Sequence, residues 1–141
     1  MNTTMHVARF TVAYWCVLIA ALLPMACAWL AKSGTFGKPR KDGGYDNNDP
    51  RAWLARQKDW RARANAAQAN SFEALPFFIG AVIIAHTLGA GQTLLDILAF
   101  AYVMLRIFYI LMYVSDMAMA RSAVWTGALL VNIAILFIGY R

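Results

Sequence analysis

Polar and ionisable side chains recur at helical spacing within two otherwise apolar stretches of this sequence. Asn70 and Glu73 are three residues apart, so they share one face of a helix. Arg106, Tyr109 and Tyr113 follow at spacings of three and four, which again define a single face. Arg106 suits a carboxylate through its forked donors, and Glu73 suits an ammonium group. Ionisable residues inside an apolar run indicate function by default, so the two faces predict a binding pocket.

A structural interpretation of the same residues remains open. Glu73 and Arg106 could pair to hold two helices together, and Asn70 could form an interhelical hydrogen bond, worth about 0.6 kcal/mol in membrane proteins. The two tyrosines could belong to an aromatic belt at a membrane interface. Arg63 lies seven residues before Asn70, nearly on the same line of the helix. Spacing alone does not decide between ligand binding and helix packing.

The composition excludes a soluble globular protein. Hydrophobic residues make up 61% of the 141 residues and charged residues only 14%, whereas soluble domains carry about 25% charged residues. A chain of this length predicts one domain, here residues 1–141. Cys16 and Cys27 lie eleven residues apart in one apolar run, about 16 Å along a helix, which is too far for a disulfide. They are interpreted as small apolar residues, and no metal site is predicted.

Four apolar runs are long enough to cross a bilayer, which takes about 20 residues of helix. The predicted fold is therefore an all-α membrane protein, a four-transmembrane-helix bundle. In the second run only the later half is continuously apolar, and the polar residues before it must face protein or a water-filled cavity. A short helix is also expected to begin at Pro50, because proline is favoured at the first helical position. The spans are predicted at about 10–31, 59–88, 94–114 and 122–140.

The charge distribution predicts the orientation of the bundle. Nine of the thirteen basic residues lie between residues 32 and 63, whereas the link at 89–92 carries no charge. The positive-inside rule then places the 32–58 loop in the cytoplasm and both termini in the periplasm of a bacterial inner membrane, with Arg9 and Arg141 near the far interface. The predicted pocket opens to the cytoplasm. No polar domain is present to carry nucleic-acid binding, which is not expected.

Two segments resemble motifs of the MAPEG family, the membrane-associated proteins in eicosanoid and glutathione metabolism. Residues 61–76 read RARANAAQANSFEALP, which resembles the family's second-helix motif of Asn, Glu three residues later and Pro soon after. Residues 106–113 read RIFYILMY, similar to its third-helix motif of Arg, an aromatic residue or His, and Tyr. Arg121 and Ser122 resemble the Arg that often precedes the family's fourth helix. Many members have an Arg four residues before the motif Asn, where this chain has Ala66.

The resemblance implies a homotrimer of four-helix protomers that binds glutathione, as a cosubstrate, between neighbouring protomers. It further implies a glutathione transferase or peroxidase acting on lipophilic electrophiles or lipid hydroperoxides, with membrane lipids around it. A thiol near pKa 8.5 is mostly protonated at neutral pH, and a nearby Arg or Tyr favours the reactive thiolate. The glutathione-binding residues are expected to be Arg63, Asn70, Glu73, Arg106 and Tyr109, and the catalytic residues Tyr113 and Arg121.

Two other functions are compatible with four spans. Small multidrug-type transporters commonly depend on one acidic residue in the first helix, but the first span here contains none. A non-catalytic membrane scaffold of the same fold is the second alternative. The polar residues of the second and third spans favour the glutathione-linked enzyme over both, because function is argued from a site and not from a fold.

Overall fold

The computed structural model describes residues 9–140, and within that range the chain is helical and contains no strand. The all-α prediction is confirmed. The predicted positions of Arg141 and of both chain termini lie outside the described residues. The helices are α1 (Val12–Lys32), α2 (Pro50–Ala55), α3 (Asp59–Thr87), α4 (Gln92–Val114) and α5 (Ala118–Phe137), with a 3₁₀ turn at Arg40–Asp42.

Four of these helices are long and apolar enough to cross a membrane, namely α1, α3, α4 and α5, with 21, 29, 23 and 20 residues. The fourth span differs most from its prediction, because α5 begins at Ala118 and not near residue 122. The turn before it is short because Asp116 adopts a left-handed conformation with φ of 60°. The following residues, Ala118 to Arg121, include good helix formers that extend the helix backwards.

The bundle core is built from small residues between large ones. α1 packs mainly on α3 and α4 mainly on α5, with further contacts between α1 and α4 and between α3 and both α4 and α5. Phe78, Leu95 and Ile135 are fully buried. Alanines at the helix contacts, including Ala81 and Ala85, are also buried. Small residues let membrane helices approach closely, so that van der Waals packing can hold them together.

One end of the bundle, here called the loop end, carries the 33–58 segment and the 115–117 turn. The short α2 begins at Pro50 as predicted, and the Asp49 side chain accepts a hydrogen bond from the Ala52 amide. Trp53 and Leu54 of α2 are buried against the ends of α1 and α3. Arg61 donates to the carbonyls of Ala31 and Ser33. These bonds satisfy carbonyls that would otherwise lack partners at the end of α1.

The opposite end, here called the link end, is tied together by side chains from three helices. The Asp96 carboxylate accepts hydrogen bonds from the Ala13 amide at 2.9 Å and from Gln92 at 2.7 Å. The His86 ring lies 3.0 Å from the Thr11 hydroxyl. The start of α1 is therefore capped by a carboxylate, which also complements the helix dipole. This polar cluster fixes the start of α1 to α3 and α4.

Candidate functional site

Arg106 is the centre of the polar cluster inside the bundle. It lies near the middle of α4 and only 3% of its surface is exposed. Its Nη2 donates to Asn70 Oδ1 at 2.9 Å and to Ser71 Oγ at 3.4 Å, both on α3. The guanidinium carbon also lies 4.4 Å from the centre of the Tyr109 ring, a cation–π distance. No carboxylate contacts Arg106 among the described residues, so its charge is held by neutral groups alone.

Glu73 is the acid of the cluster, and it does not pair with Arg106. Asn70 lies between them, because its Nδ2 donates to Glu73 Oε2 at 3.4 Å while its Oδ1 accepts from Arg106. Within residues 9–140 the ion pairs are Arg40 with Asp46 and Arg63 with Asp116. The structural interpretation of a direct Glu73–Arg106 pair is therefore wrong. Both charges lie in membrane-spanning helices without a counter-ion from the described protein.

A cavity of about 210 Å³ lies beside this cluster, between α3, α4 and α5. Its walls combine the charged and amide side chains with aromatic and aliphatic ones. A concave site with a few convergent polar groups on an apolar wall is typical of ligand binding. The residues that line this first cavity are Asn70, Glu73, Ala74, Phe77, Tyr102, Arg106, Trp125, Ala128, Leu129 and Asn132.

A second cavity of about 450 Å³ lies nearer the loop end. Arg121 lies over the Tyr113 ring, with its guanidinium carbon 4.3 Å from the ring centre. The Tyr109 and Tyr113 rings meet edge to face at 5.6 Å. Trp125 lines both cavities, so the two are neighbours. The lining residues are Tyr109, Tyr113, Arg121, Ser122, Trp125 and Thr126.

Arg63 lies apart from the other predicted site residues. Its Nε donates to the Val114 carbonyl at 3.0 Å, and its Nη1 lies 4.0 Å from Asp116 Oδ2. The Arg63 side chain therefore satisfies a carbonyl oxygen in the last turn of α4, as cations often do at the C-terminal end of a helix. The physical reason is distance along α3, because seven residues correspond to about 10.5 Å of helical rise. Arg63 therefore shares a helix face with Asn70 but lines neither cavity.

Tyr102, Trp125 and Asn132 are among the lining residues that were not predicted from the sequence. Asn132 is 3% exposed, and its Oδ1 has no hydrogen-bond partner among the described residues. It is also a strongly polar residue within the apolar run of α5, the same signal that identified Asn70. Tyr102 is four residues before Arg106 and so shares its face. Trp125 carried no comparable signal, because a tryptophan near a helix end is common in membrane proteins.

The two cysteines line neither cavity. Cys16 and Cys27 are free and buried. Among residues 9–140, no group of three His, Cys, Asp or Glu side chains is placed to share a metal ion. The polar groups that line the two cavities are guanidinium, carboxylate, amide, phenol, hydroxyl and indole groups.

Four spanning helices around a buried arginine and two adjoining cavities define an integral membrane protein with an internal polar site. The chain matches the model of the MAPEG family over residues 12–140 and belongs to that family. Comparison with curated proteins and with solved structures found no match. The family is known for glutathione-related membrane enzymes, and membership assigns this chain a glutathione-linked function in the membrane at that coarse level.

Proposed function

We propose that this protein is an enzyme that uses glutathione to conjugate lipophilic electrophiles, to reduce lipid hydroperoxides, or to do both. The observation that carries the proposal is the arrangement of Arg106 and Glu73. They line one cavity, carry opposite charges and are joined through Asn70 without an ion pair. Arg106 is buried and Glu73 lies in a membrane-spanning helix, and charges in either setting are costly unless they are paired and hydrogen-bonded. A ligand that carries both a carboxylate and an ammonium group supplies the missing partners.

Glutathione has these groups, and each finds a complementary side chain. One of its carboxylates pairs with the Arg106 guanidinium, whose fork matches carboxylate geometry. Its ammonium group pairs with the Glu73 carboxylate. Asn70 has both a donor and an acceptor, so it orients the two charged side chains from between them. Tyr109 supports Arg106 from the opposite side through its ring. Arg63, whose donors are used at the end of α4, is left out of the ligand contacts.

The second cavity is the proposed position of the sulfur. Tyr113 and Arg121 both line it and lie against each other. A phenol hydroxyl or a guanidinium beside the sulfur favours the thiolate, which is the nucleophile. In conjugation, the thiolate attacks an electrophilic carbon, a carbon–sulfur bond forms, and the leaving group departs with its electron pair. With a hydroperoxide, the thiolate attacks the terminal oxygen and the O–O bond breaks. The sulfur becomes a sulfenic acid, and the alkoxide leaves and is protonated to the alcohol. A second glutathione then converts the sulfenic acid to a disulfide and water.

The second substrate reaches the sulfur from the bilayer in this proposal. Trp125 lines both cavities and is 38% exposed on the outer surface of the bundle. Ser122 and Thr126 are exposed beside it. A lipophilic molecule dissolved in the membrane reaches the second cavity beside the Trp125 ring without crossing water. The charged peptide enters instead from the loop end, which is proposed to face the cytoplasm.

The active form is proposed to be a homotrimer, with the site completed by a neighbouring copy. Glu73 is exposed on the surface of a single protomer although it lies in a spanning helix. A carboxylate exposed to lipid is costly, and such residues face a bundle interior or a water-filled cavity. A second protomer packed against this face of α3 would remove Glu73 from lipid. It would also close the open side of the first cavity.

The test is glutathione binding to the detergent-purified protein, measured by calorimetry. Arg106→Ala should weaken binding by roughly 10- to 150-fold, which corresponds to the loss of a charge-assisted hydrogen bond. The matched control is Arg51→Ala, because Arg51 is exposed on α2 and lines neither cavity. Equal binding by both variants would contradict the proposal. Binding without turnover of any electrophile or hydroperoxide would instead favour the non-catalytic scaffold.

A further inference from the structure

The loop end carries exposed basic side chains that have no carboxylate partner. Between residues 32 and 63 the chain has nine basic and four acidic residues, a net charge of +5. Lys38, Lys41, Arg56 and Lys58 are exposed, and none of them forms an ion pair within residues 9–140. These four side chains are here called the basic surface. Its charge is available to an anion from outside the protein.

Contacts within the 33–58 segment hold the basic surface at the ends of the spanning helices. Trp53 and Leu54 of α2 are buried against the ends of α1 and α3. The Tyr45 ring meets the Trp53 ring edge to face at 5.2 Å, and Lys32 Nζ lies 4.5 Å from the centre of the Tyr45 ring. Lys58 immediately precedes α3. The basic surface is therefore part of a folded cover on the bundle and not of a free tail.

Aromatic side chains lie close to the same helix ends. Trp29 is in the last turn of α1 and is 68% exposed. Trp60 is the second residue of α3, and its ring centre lies 4.4 Å from the guanidinium carbon of Arg61. Phe36 follows α1 in the loop and is 63% exposed. Tryptophans of membrane proteins are enriched where the hydrocarbon meets the headgroups, so the loop end lies at that boundary.

The depth of the basic surface selects its partner. The abundant anions at this boundary are the phosphates of lipid headgroups, and Lys and Arg bind phosphate through charge-assisted hydrogen bonds. Clusters of basic residues next to a spanning helix are typical of binding to anionic lipids. A soluble phosphate compound would use the cations alone and leave the Phe36 ring exposed to water, whereas a lipid would cover that ring as well.

We propose that the basic surface binds anionic phospholipids, such as phosphatidylglycerol, in the leaflet next to the loop end. Arg56 and Lys58 donate to the phosphate, because they lie within three residues of the start of α3 and so close to the bilayer. Lys38 and Lys41 add positive charge from the loop, and Phe36 contacts the lipid beside its headgroup. The protein thereby prefers anionic lipids to zwitterionic ones. This inference is independent of glutathione binding.

The experiment compares two lipids on the detergent-purified full chain. Phosphatidylglycerol or phosphatidylcholine with the same acyl chains is added, and the fraction of lipid-bound protein is measured by native mass spectrometry in mild detergent. The unmodified protein should bind phosphatidylglycerol more tightly. In the double variant Arg56→Gln and Lys58→Gln this preference should fall by roughly 5- to 25-fold, because each cation near an anionic lipid surface contributes about fivefold.

Two control variants separate the charge of the side chains from their shape. The double variant Arg56→Lys and Lys58→Arg keeps both charges and should keep the preference for phosphatidylglycerol. Arg9→Gln removes an exposed cation that lies two residues before Thr11, the cap of α1 at the link end, and should leave the preference unchanged. The unmodified protein also provides a test without any substitution. Added salt should weaken the binding of phosphatidylglycerol more than that of phosphatidylcholine, because exposed charges are screened.

Three outcomes would overturn the proposal. The first is equal binding of the two lipids by the unmodified protein. The second is an equal loss of preference in the charge-removing and the charge-conserving double variants, which would show that shape and not charge matters. The third is displacement of phosphatidylglycerol by an equal concentration of glycerol 3-phosphate, which would show that the basic surface binds soluble phosphate compounds.

Discussion

At the scale of single residues, the central feature is a chain of contacts that ends in two unpaired charges. Arg106 donates to Asn70, and Asn70 donates to Glu73. If the cluster served only to join helices, a direct ion pair would be the simpler solution, because a forked guanidinium binds a carboxylate through two donors. The Asn70 amide lies between the two charged groups, so each can form further hydrogen bonds with a ligand in the first cavity. This arrangement suits a site that is completed by its ligand.

Glu73→Gln tests whether the carboxylate binds an ammonium group. The side chain keeps its shape and can still accept from Asn70, but it loses its charge. Glutathione binding should weaken by roughly 10- to 150-fold, as for a lost charge-assisted hydrogen bond, when measured by calorimetry. Asp42→Asn in the exposed 3₁₀ turn is the matched control and should have no effect. Unchanged affinity in the Gln variant would mean that the ammonium binds elsewhere.

Tyr113 and Arg121 should affect the reactivity of the bound thiol more than the binding of the peptide. Tyr113→Phe removes only the hydroxyl, and Arg121→Ala removes the cation that lies over that ring. Each change removes a group that favours the thiolate, so bound glutathione should ionise at a higher pH. The measurement is the thiolate absorbance of the glutathione complex across a pH titration at saturating peptide. Calorimetry gives the affinity of each variant for glutathione and is the control for binding. If the thiol of bound glutathione titrated normally in both variants, neither residue would stabilise the thiolate.

At the scale of helices, the long apolar runs were sufficient to locate the spans. The start of α5 was placed too late because Asp116 and Arg121 indicated a polar loop, whereas the turn requires only a left-handed Asp116. The faces of α3 and α4 were predictable from helical periodicity. The residues of other helices that lie against these faces were not predictable, because spacing along one helix gives no distance to another helix. Asn132 and Arg63 illustrate this limit, since the first lines the first cavity from α5 and the second donates to the last turn of α4.

The end of α3 offers a prediction at this scale. Gly89 has φ of 68°, and the amides of Gly89 and Ala90 donate to the carbonyls of His86 and Ala85, which is the Schellman arrangement. Gly89→Ala forces a side chain into the left-handed region and should destabilise the protein by about 1–2 kcal/mol. The contrast is Gly127→Ala inside α5, where an added methyl makes only an ordinary contact with Leu105. This variant should be stabilised by about 0.5–1 kcal/mol.

Thermal unfolding in one detergent compares the two glycine variants directly. The same chemical change should lower the unfolding temperature at residue 89 and raise it at residue 127. If the unfolding temperatures of both variants changed in the same direction, the left-handed backbone conformation of Gly89 would not explain the effect at residue 89. The site residues are untouched in both proteins, so any loss of glutathione binding in the Gly89 variant would indicate coupling between the link end and the cavities.

At the scale of the whole molecule, charge predicts how the bundle is oriented. The 33–58 segment carries six basic and three acidic residues, and the link at 88–91 carries none. Cytoplasmic loops are enriched in Lys and Arg, so a reporter fused after residue 141 should be periplasmic, and one inserted near residue 47 cytoplasmic. The measurement uses a reporter that is active on one side only. If the fusion at residue 141 were active in the cytoplasm, the bundle would have the opposite orientation. The peptide would then enter from the other side of the membrane.

The exposure of Glu73 in a spanning helix leads to a prediction about the oligomeric state of the protein. A single protomer leaves Glu73 exposed in a spanning helix, together with the neighbouring Phe72 and Phe77 at 45% and 37% exposure. Lipid can cover the two phenylalanines without cost but not the carboxylate. A partner protomer would cover all three, and we therefore expect trimers by native mass spectrometry in mild detergent. Because the partner would close the first cavity, glutathione should bind to trimers and not to monomers released by harsher detergent. Monomers that bind the peptide with undiminished affinity would mean that one protomer contains the whole site.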